Sequence, residues 1–81
     1  MSNLATVAYF TRVTDYGDYY IIEFFDEKYV VRKHSIERDL AKILKHIPCH
    51  YAYAFLRVLS LRLRINVNEI VKGITLSLIH I

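Results

Sequence analysis

Residues 19–32 read YYIIEFFDEKYVVR. The two ends of this segment, residues 19–25 and 29–32, are rich in β-branched and aromatic side chains, which favour β-strands. The polar stretch between them, residues 26–28, is short enough to form the turn of a hairpin. The segment therefore predicts two antiparallel strands.

The residues before this hairpin predict a third strand. Residues 5–13 are again β-branched and aromatic, and residues 14–18 then collect turn-forming side chains around Gly17. We therefore expect a three-stranded antiparallel meander whose first strand covers residues 5–13.

The residues after the hairpin carry a clear helical pattern. Ser35 is a suitable N-cap, and apolar residues then recur at helical spacing. These apolar positions are Ile36, Leu40, Ile43, Leu44 and Ile47. Arg38, Lys42 and Lys45 fall on the opposite face, and the single proline of the chain ends the pattern. The sequence predicts one amphipathic helix over about residues 36–47.

Two patterns compete after the proline. As a helix, this part of the chain has an apolar stripe with a polar stripe opposite it. The apolar positions are Ala52, Phe55, Leu56, Leu59 and Leu63, and the polar ones are Tyr53, Arg57, Ser60 and Arg64. As a strand, residues 59–68 alternate apolar and polar side chains at every position. The alternation is the more regular pattern, so we expect a strand with Arg62 and Arg64 on its polar face, and a further strand over residues 69–74.

Length and composition limit the architecture. The 81 residues suffice for one small domain, 54% of them are apolar, and a single cysteine excludes a disulfide framework. The sequence does not open with a signal-peptide pattern, and its apolar runs are too short to cross a membrane. We expect a cytoplasmic α+β domain, namely a small antiparallel β-rich fold with one amphipathic helix and no membrane association.

The last six residues are treated separately. Residues 76–81 read LSLIHI, which resembles the translation of the transposase mosaic-end adapter used in DNA sequencing libraries. We therefore expect a single domain over residues 1–75, a non-native tail at residues 76–81, and a natural reading frame that continues further. The alternative is an ordinary apolar strand.

The charges are distributed unevenly along the chain. Residues 1–27 carry five acidic side chains and one basic one, whereas residues 28–81 carry ten basic and three acidic ones. The formal net charge of +3 therefore conceals a strongly basic C-terminal part. Such a surface is typical of domains that contact a phosphate backbone or another polyanion.

Two stretches of the sequence match motifs of one known protein family. Residues 28–36 read KYVVRKHSI and match that family's K-Y-x-V-R-x-S-L motif with one extra residue before the serine. Residues 65–70 read INVNEI and match the end of its second motif, (I/V)-N-(L/V)-(D/N)-x-(I/V). Residues 59–64, LSLRLR, stand in place of the family's His-Arg-Ser-Tyr segment. The chain thus resembles the LytTR-type DNA-binding domain over about residues 5–75.

The resemblance implies an output module of a transcriptional regulator, often joined to a receiver domain, that inserts loops into successive major grooves of double-stranded DNA. The implied DNA-contacting residues are Arg57, Ser60, Arg62 and Arg64. Arginine suits this role because its planar fork bonds guanine or clamps phosphate. Lys33 and Lys72 are candidates for phosphate contacts, which position a protein without reading sequence. A homodimer on DNA is a further expectation, and the alternative for each residue is an exposed charge that maintains solubility.

The residue pattern does not point to catalysis. His46, Cys49 and His50 are metal-ligand types that lack a fourth ligand, so solvated histidines beside a buried thiol are favoured over a zinc site. With only Gly17 and Gly73, the chain has no glycine-rich phosphate loop. We expect no enzymatic activity, no cofactor and no small-molecule substrate. The rival to DNA binding is a protein-binding module whose exposed strand edge or helix meets a partner.

Overall fold

The computed structural model describes residues 3–66 and residue 68. The elements are α1 (Asn3–Phe10), β1 (Thr11–Asp15), β2 (Tyr19–Phe24), β3 (Glu27–Arg32), α2 (Ile36–Leu44) and α3 (Cys49–Leu63). A short 3-10 turn, Lys33–Ser35, joins β3 to α2. The α+β class predicted from the sequence is confirmed.

The three strands form the predicted antiparallel meander in the order β1-β2-β3. Ile22, in the central strand, lies opposite Val13 of β1 and Tyr29 of β3. Ile22 is fully buried, whereas Val30 on the other face of the sheet is 55% exposed. Because successive side chains of a strand point to opposite faces, the sheet has one core-facing side and one solvent-facing side.

The turn between β1 and β2 depends on Gly17, as predicted. Gly17 has a φ of +98°, a backbone conformation that residues with a Cβ rarely adopt. Its backbone N–H donates to Oδ1 of Asp15 at 2.8 Å. This side-chain acceptor closes the turn before β2 begins.

The hydrophobic core lies between the sheet and the three helices. Its largest fully buried side chains are Phe55, Ile22, Leu40, Leu59, Val7 and Val31. They belong to one cluster to which α1, β2, β3, α2 and α3 all contribute. Because the buried strand residues share one face, the helices all cover the same side of the sheet.

The strand predicted over residues 5–13 is wrong in its first part, because those residues belong to α1. Leu4, Val7 and Ala8 recur at helical spacing and pack into the core, where Val7 is fully buried. Packing against α3 thus overrides the local β propensity of the segment. Thr11 begins the strand instead, and its hydroxyl donates to the carbonyl of Val7 at 2.6 Å.

The strand predicted over residues 59–68 is wrong up to Leu63, where α3 ends. The helical alternative is the one that forms, with Phe55, Leu59 and Leu63 buried on one side. Leu61, which a strand would bury, is 71% exposed. The helix forms because leucine and arginine favour helices and because the apolar stripe continues that of the first turns.

The helix predicted over residues 36–47 is confirmed as α2, although it ends at Leu44. Ser35 occupies its N-cap position, but the hydroxyl donates to Oδ2 of Asp39 at 3.4 Å rather than capping a backbone N–H. With α1 and α3 also present, the described residues are more helical than the β-rich domain with one helix that the sequence predicted. Lys72, the strand predicted at residues 69–74 and the tail lie outside the described residues.

Candidate nucleic-acid interface

The outer side of α3 carries a polar stripe. Its members in the helix, Tyr53, Arg57 and Ser60, recur at spacings of four and three residues, and its last member, Arg64, is the cap residue directly after the helix. Such spacings place side chains on one side of a helix. We name this set the α3 stripe. With a rise of about 1.5 Å per residue, the backbones of its two arginines lie about 10 Å apart along the helix axis.

The α3 stripe faces solvent and is cationic. Tyr53, Arg57 and Arg64 are exposed, whereas Ser60 is half-buried and donates its hydroxyl to the carbonyl of Arg57 at 2.9 Å. The guanidinium carbon of Arg57 lies 6.0 Å from the centre of the Tyr53 ring. Neither arginine has an acidic partner within the described part of the chain. Both are therefore available to an anionic ligand.

The end of α3 determines where Arg64 lies. Arg64 adopts a left-handed backbone conformation with φ 57°, which terminates the helix. The backbone N–H groups of Arg64 and Ile65 both donate to the carbonyl of Ser60. Because these bonds tie the C-terminal turn back onto the helix, Arg64 is held at the end of the stripe.

Arg62 lies on a different side of α3 and bonds to the end of α1. Its Nη2 donates to the carbonyl of Ala8 at 2.7 Å and its Nη1 to the carbonyl of Thr11. In a strand, residues two positions apart share a face, whereas here Arg62 lies in the last turn of α3 and Arg64 is the left-handed cap after it. The predicted strand face that joined Arg62 with Arg64 is therefore wrong, and the structure gives Arg62 a bridging role between α1 and α3.

Lys33 is engaged at the sheet rather than grouped with the α3 stripe. Its Nζ lies 2.9 Å from Oδ1 of Asp15 and 4.8 Å from the centre of the Tyr20 ring. The hydrogen bond to Asp15 raises the pKa of Lys33. The pKa of Asp15 is lowered, first by the backbone N–H of Gly17 and then by Lys33. The structure thus pairs this predicted phosphate contact with an acid.

The exposed side of α2 and its cap form a second basic surface. Arg38, Lys42 and Lys45 face away from the core, which holds Leu40 and Ile43 on the other side. We name these three residues the basic ridge. Their spacing of four and three residues is visible in the sequence, although they are not among the DNA contacts that the family resemblance implies. Among the described residues, none of the three forms an ion pair.

A salt bridge at the start of α2 connects that helix to the sheet. Oδ2 of Asp39 accepts bonds from the backbone N–H and Nε of Arg32 at 2.9 and 3.0 Å, and Oδ1 accepts one from Nη2 at 3.0 Å. These bonds hold the pKa of Asp39 well below its usual range, although its burial acts in the opposite direction. Asp39 raises the pKa of Arg32 in turn. The pair fixes the start of α2 against β3.

The remaining expectations concern metal ligands and membranes. In residues 3–66 and 68, no group of three or more His, Cys, Asp or Glu side chains is arranged to hold a metal ion. Cys49 is exposed, so the expected buried thiol is wrong. Over the same residues, no helix combines the length and the apolar character needed to span a bilayer.

Comparisons with known protein families, characterised proteins and solved structures give no match. The geometry of the α3 stripe and the basic ridge is therefore what bears on function.

Proposed function

We propose that this domain binds double-stranded DNA in a sequence-specific manner, as the output module of a transcriptional regulator, and that the α3 stripe is its contact surface. The observation that carries the proposal is the pair Arg57 and Arg64, two exposed cations, one on α3 and one at its C-terminal cap, beside a helix that contains no acidic residue. Because neither guanidinium has an acidic partner among the residues described, neither must break an ion pair there to meet DNA.

The dimensions of the α3 stripe suit a duplex. A separation of about 10 Å corresponds to about three base-pair steps of 3.4 Å, so both arginines reach the same segment of DNA. The major groove of B-DNA, about 12 Å wide, admits an α-helix. Arginine there donates two bonds to guanine, and a serine such as Ser60 bonds either a base or a phosphate.

The charge distribution favours the helices, rather than the sheet, as the part of the domain that contacts DNA. Residues 36–64 carry six basic and two acidic side chains, and Arg32 already engages one of those acids, Asp39. Five of the eight acidic residues of the chain precede residue 28, where they lie in the strands and turns of the sheet. The basic ridge of α2 adds three cations for phosphate contacts, which strengthen binding without specifying sequence.

The resemblance to the LytTR-type domain implies the same activity and supports the proposal. That family inserts loops into the major groove, whereas the contact proposed here is made by a helix. Lys72, implied as a phosphate contact by the resemblance, keeps that role as a prediction.

The test is a fluorescence-anisotropy titration of labelled duplex DNA with the full chain, after selection of a preferred site from random duplexes. We expect Arg57→Ala and Arg64→Ala each to weaken binding about tenfold, since each removes an interaction with a base or phosphate. The slope of log affinity against log salt falls by about 0.9 for each phosphate that is no longer neutralised. Arg12→Ala is the matched control, because Arg12 is equally cationic and exposed but lies on the sheet.

Two outcomes contradict the proposal. A folded chain that binds no duplex at low salt excludes DNA binding as the function. An equal loss of affinity in Arg12→Ala and Arg64→Ala shows that any surface cation contributes and that the α3 stripe is not the contact.

A second candidate function, protein binding, is favoured by an exposed aromatic cluster. Tyr9 is 82% exposed and makes an edge contact with Phe10, whose ring stacks on that of Phe25 at 4.3 Å. Phe10 and Phe25 are themselves more than 40% exposed. Aromatic side chains are enriched at protein interfaces. Two results together would favour this function. The chain would not bind DNA, and Phe25→Ser would abolish binding of a protein partner.

A further inference from the structure

A cleft lies where the start of α1 meets the first turns of α3. It has a volume of about 320 Å³ and is lined by Asn3, Leu4, His50, Tyr53, Ala54 and Arg57. The side-chain amide of Asn3 donates to the backbone carbonyl of His50 at 2.9 Å. This bond joins the start of α1 to the first turn of α3, the two elements that form the cleft.

The lining of the cleft combines an aromatic face with cationic or polar groups. Tyr53 is 64% exposed, and the guanidinium of Arg57 lies 6.0 Å from the centre of its ring. His50 lines the same cleft, one helical turn before Tyr53, and no acidic residue is among the lining residues. The cleft therefore favours a ligand that has both a planar ring and a negative charge.

We propose that this cleft binds a single unpaired nucleotide, with its base against Tyr53 and its phosphate on Arg57 and His50. A base stacks on an aromatic side chain irrespective of its identity, because every base has a π-face. The arginine fork and the imidazole supply N–H donors for phosphate oxygens. The volume lies at the lower end of the range for small-molecule sites, which suits one nucleotide rather than a larger ligand.

Nucleotide binding goes beyond duplex binding but shares Arg57 with it. A nucleotide seated on Arg57 occupies a cation of the α3 stripe, so nucleotide and duplex compete for that side chain. Arg64 lies two helical turns further along the stripe and does not line the cleft. The two activities are therefore separable by substitution.

The test is a titration of the full chain with a purine and a pyrimidine nucleoside 5′-monophosphate, followed by nuclear magnetic resonance. A second titration with a short single-stranded oligonucleotide shows whether the bound nucleotide is free or part of a strand. We expect binding about tenfold tighter than that of inorganic phosphate, because stacking on Tyr53 adds to the phosphate contact. Tyr53→Ala and Arg57→Ala each weaken it about tenfold, whereas Arg64→Ala leaves it unchanged.

The outcomes separate nucleotide binding from the proposed function. Binding of the oligonucleotide alone identifies a strand as the source of the nucleotide and supports the site. Failure of both ligands to bind the folded chain, or an equal loss in Arg64→Ala and Tyr53→Ala, overturns it. Arg64→Ala separates the two proposals, because Arg64 belongs to the α3 stripe but does not line the cleft. Its duplex affinity tests DNA binding alone, and its nucleotide affinity tests the cleft alone.

Discussion

Asp39 connects the sheet to α2 through one carboxylate. Its side chain is 7% exposed and accepts three hydrogen bonds from Arg32, while the Arg32 side chain remains 47% exposed. A buried charge depends on its partner, because removal of either member leaves the other unsatisfied. Solvent around Arg32 screens the pair, so its contribution to stability is smaller than that of a fully buried pair.

We predict that Asp39→Asn lowers the free energy of unfolding by about 1.5 kcal/mol, because an amide replaces one acceptor oxygen with a donor that faces the guanidinium. Urea denaturation followed by circular dichroism measures this change. Glu37→Gln is the control, since Glu37 lies on the same helix but is exposed. Equal stability of Asp39→Asn and the native chain would contradict the role assigned to the pair.

The same bonds predict a pH dependence. Because the folded state lowers the pKa of Asp39 below its usual 3.8, the carboxylate stabilises the fold at pH values above 3.8. That contribution is lost as the pH falls below 3.8, because protonation breaks the charge-assisted bonds. Thermal melts between pH 6 and pH 2 should therefore show a steeper loss of melting temperature for the native chain than for Asp39→Asn.

At the scale of single residues, the sequence predicts roles that depend on local chemistry, but it does not predict which residues contact each other in the fold. Gly17 is predicted at its turn because its local chemistry suffices. Nothing local to Arg32 or Asp39 indicates that they pair, since the contact joins a strand to a helix. The same holds for Arg62, whose acceptors lie 51 and 54 residues away in the chain.

At the scale of helices and strands, Arg62 joins the end of α1 to α3. The last carbonyls of a helix lack intrahelical donors and carry partial negative charge, so a guanidinium there is favourable. Its two acceptors, on Ala8 and Thr11, lie on either side of the junction between α1 and β1. The bond thus helps to hold α1 as a helix at a point where the local sequence favours a strand.

We predict that Arg62→Ala lowers the free energy of unfolding by about 1 kcal/mol while duplex affinity changes less than in Arg64→Ala. The physical reason is that the guanidinium of Arg62 is occupied by backbone carbonyls. Chemical denaturation and anisotropy on the same samples measure both quantities. A larger loss of DNA affinity in Arg62→Ala than in Arg64→Ala would return Arg62 to the contact surface.

The elements divide into those that local pattern determines and those that packing determines. β2, β3 and α2 are predicted because their propensity and periodicity agree with their burial. α1 and α3 are mispredicted because their residues allow both a strand and a helix, and contacts with distant parts of the chain determine that the helix forms. In α3 the alternation over residues 59–68 is regular, yet the helix buries Leu59 and Leu63 together with Phe55, which lies outside that alternation.

At the scale of the whole molecule, the acidic and the basic parts of the sequence form different elements of the fold. The acidic N-terminal part contains α1, β1 and β2, and the basic part contains most of β3 together with α2 and α3. The separation of acidic and basic residues along the chain is visible in the sequence alone, where it indicates a polyanionic partner. The grouping of Arg57, Ser60 and Arg64 without Arg62 did not follow from it, because that grouping requires the segment to be a helix.

The most direct test of DNA binding through the α3 stripe is chemical-shift mapping of the isotope-labelled full chain during titration with its selected duplex. We predict that the largest changes fall on the α3 stripe, at Arg57, Ser60 and Arg64, with smaller ones on the basic ridge and none on the outer face of the sheet around Val30. Changes concentrated on the sheet face, or no changes at low salt, would contradict this assignment.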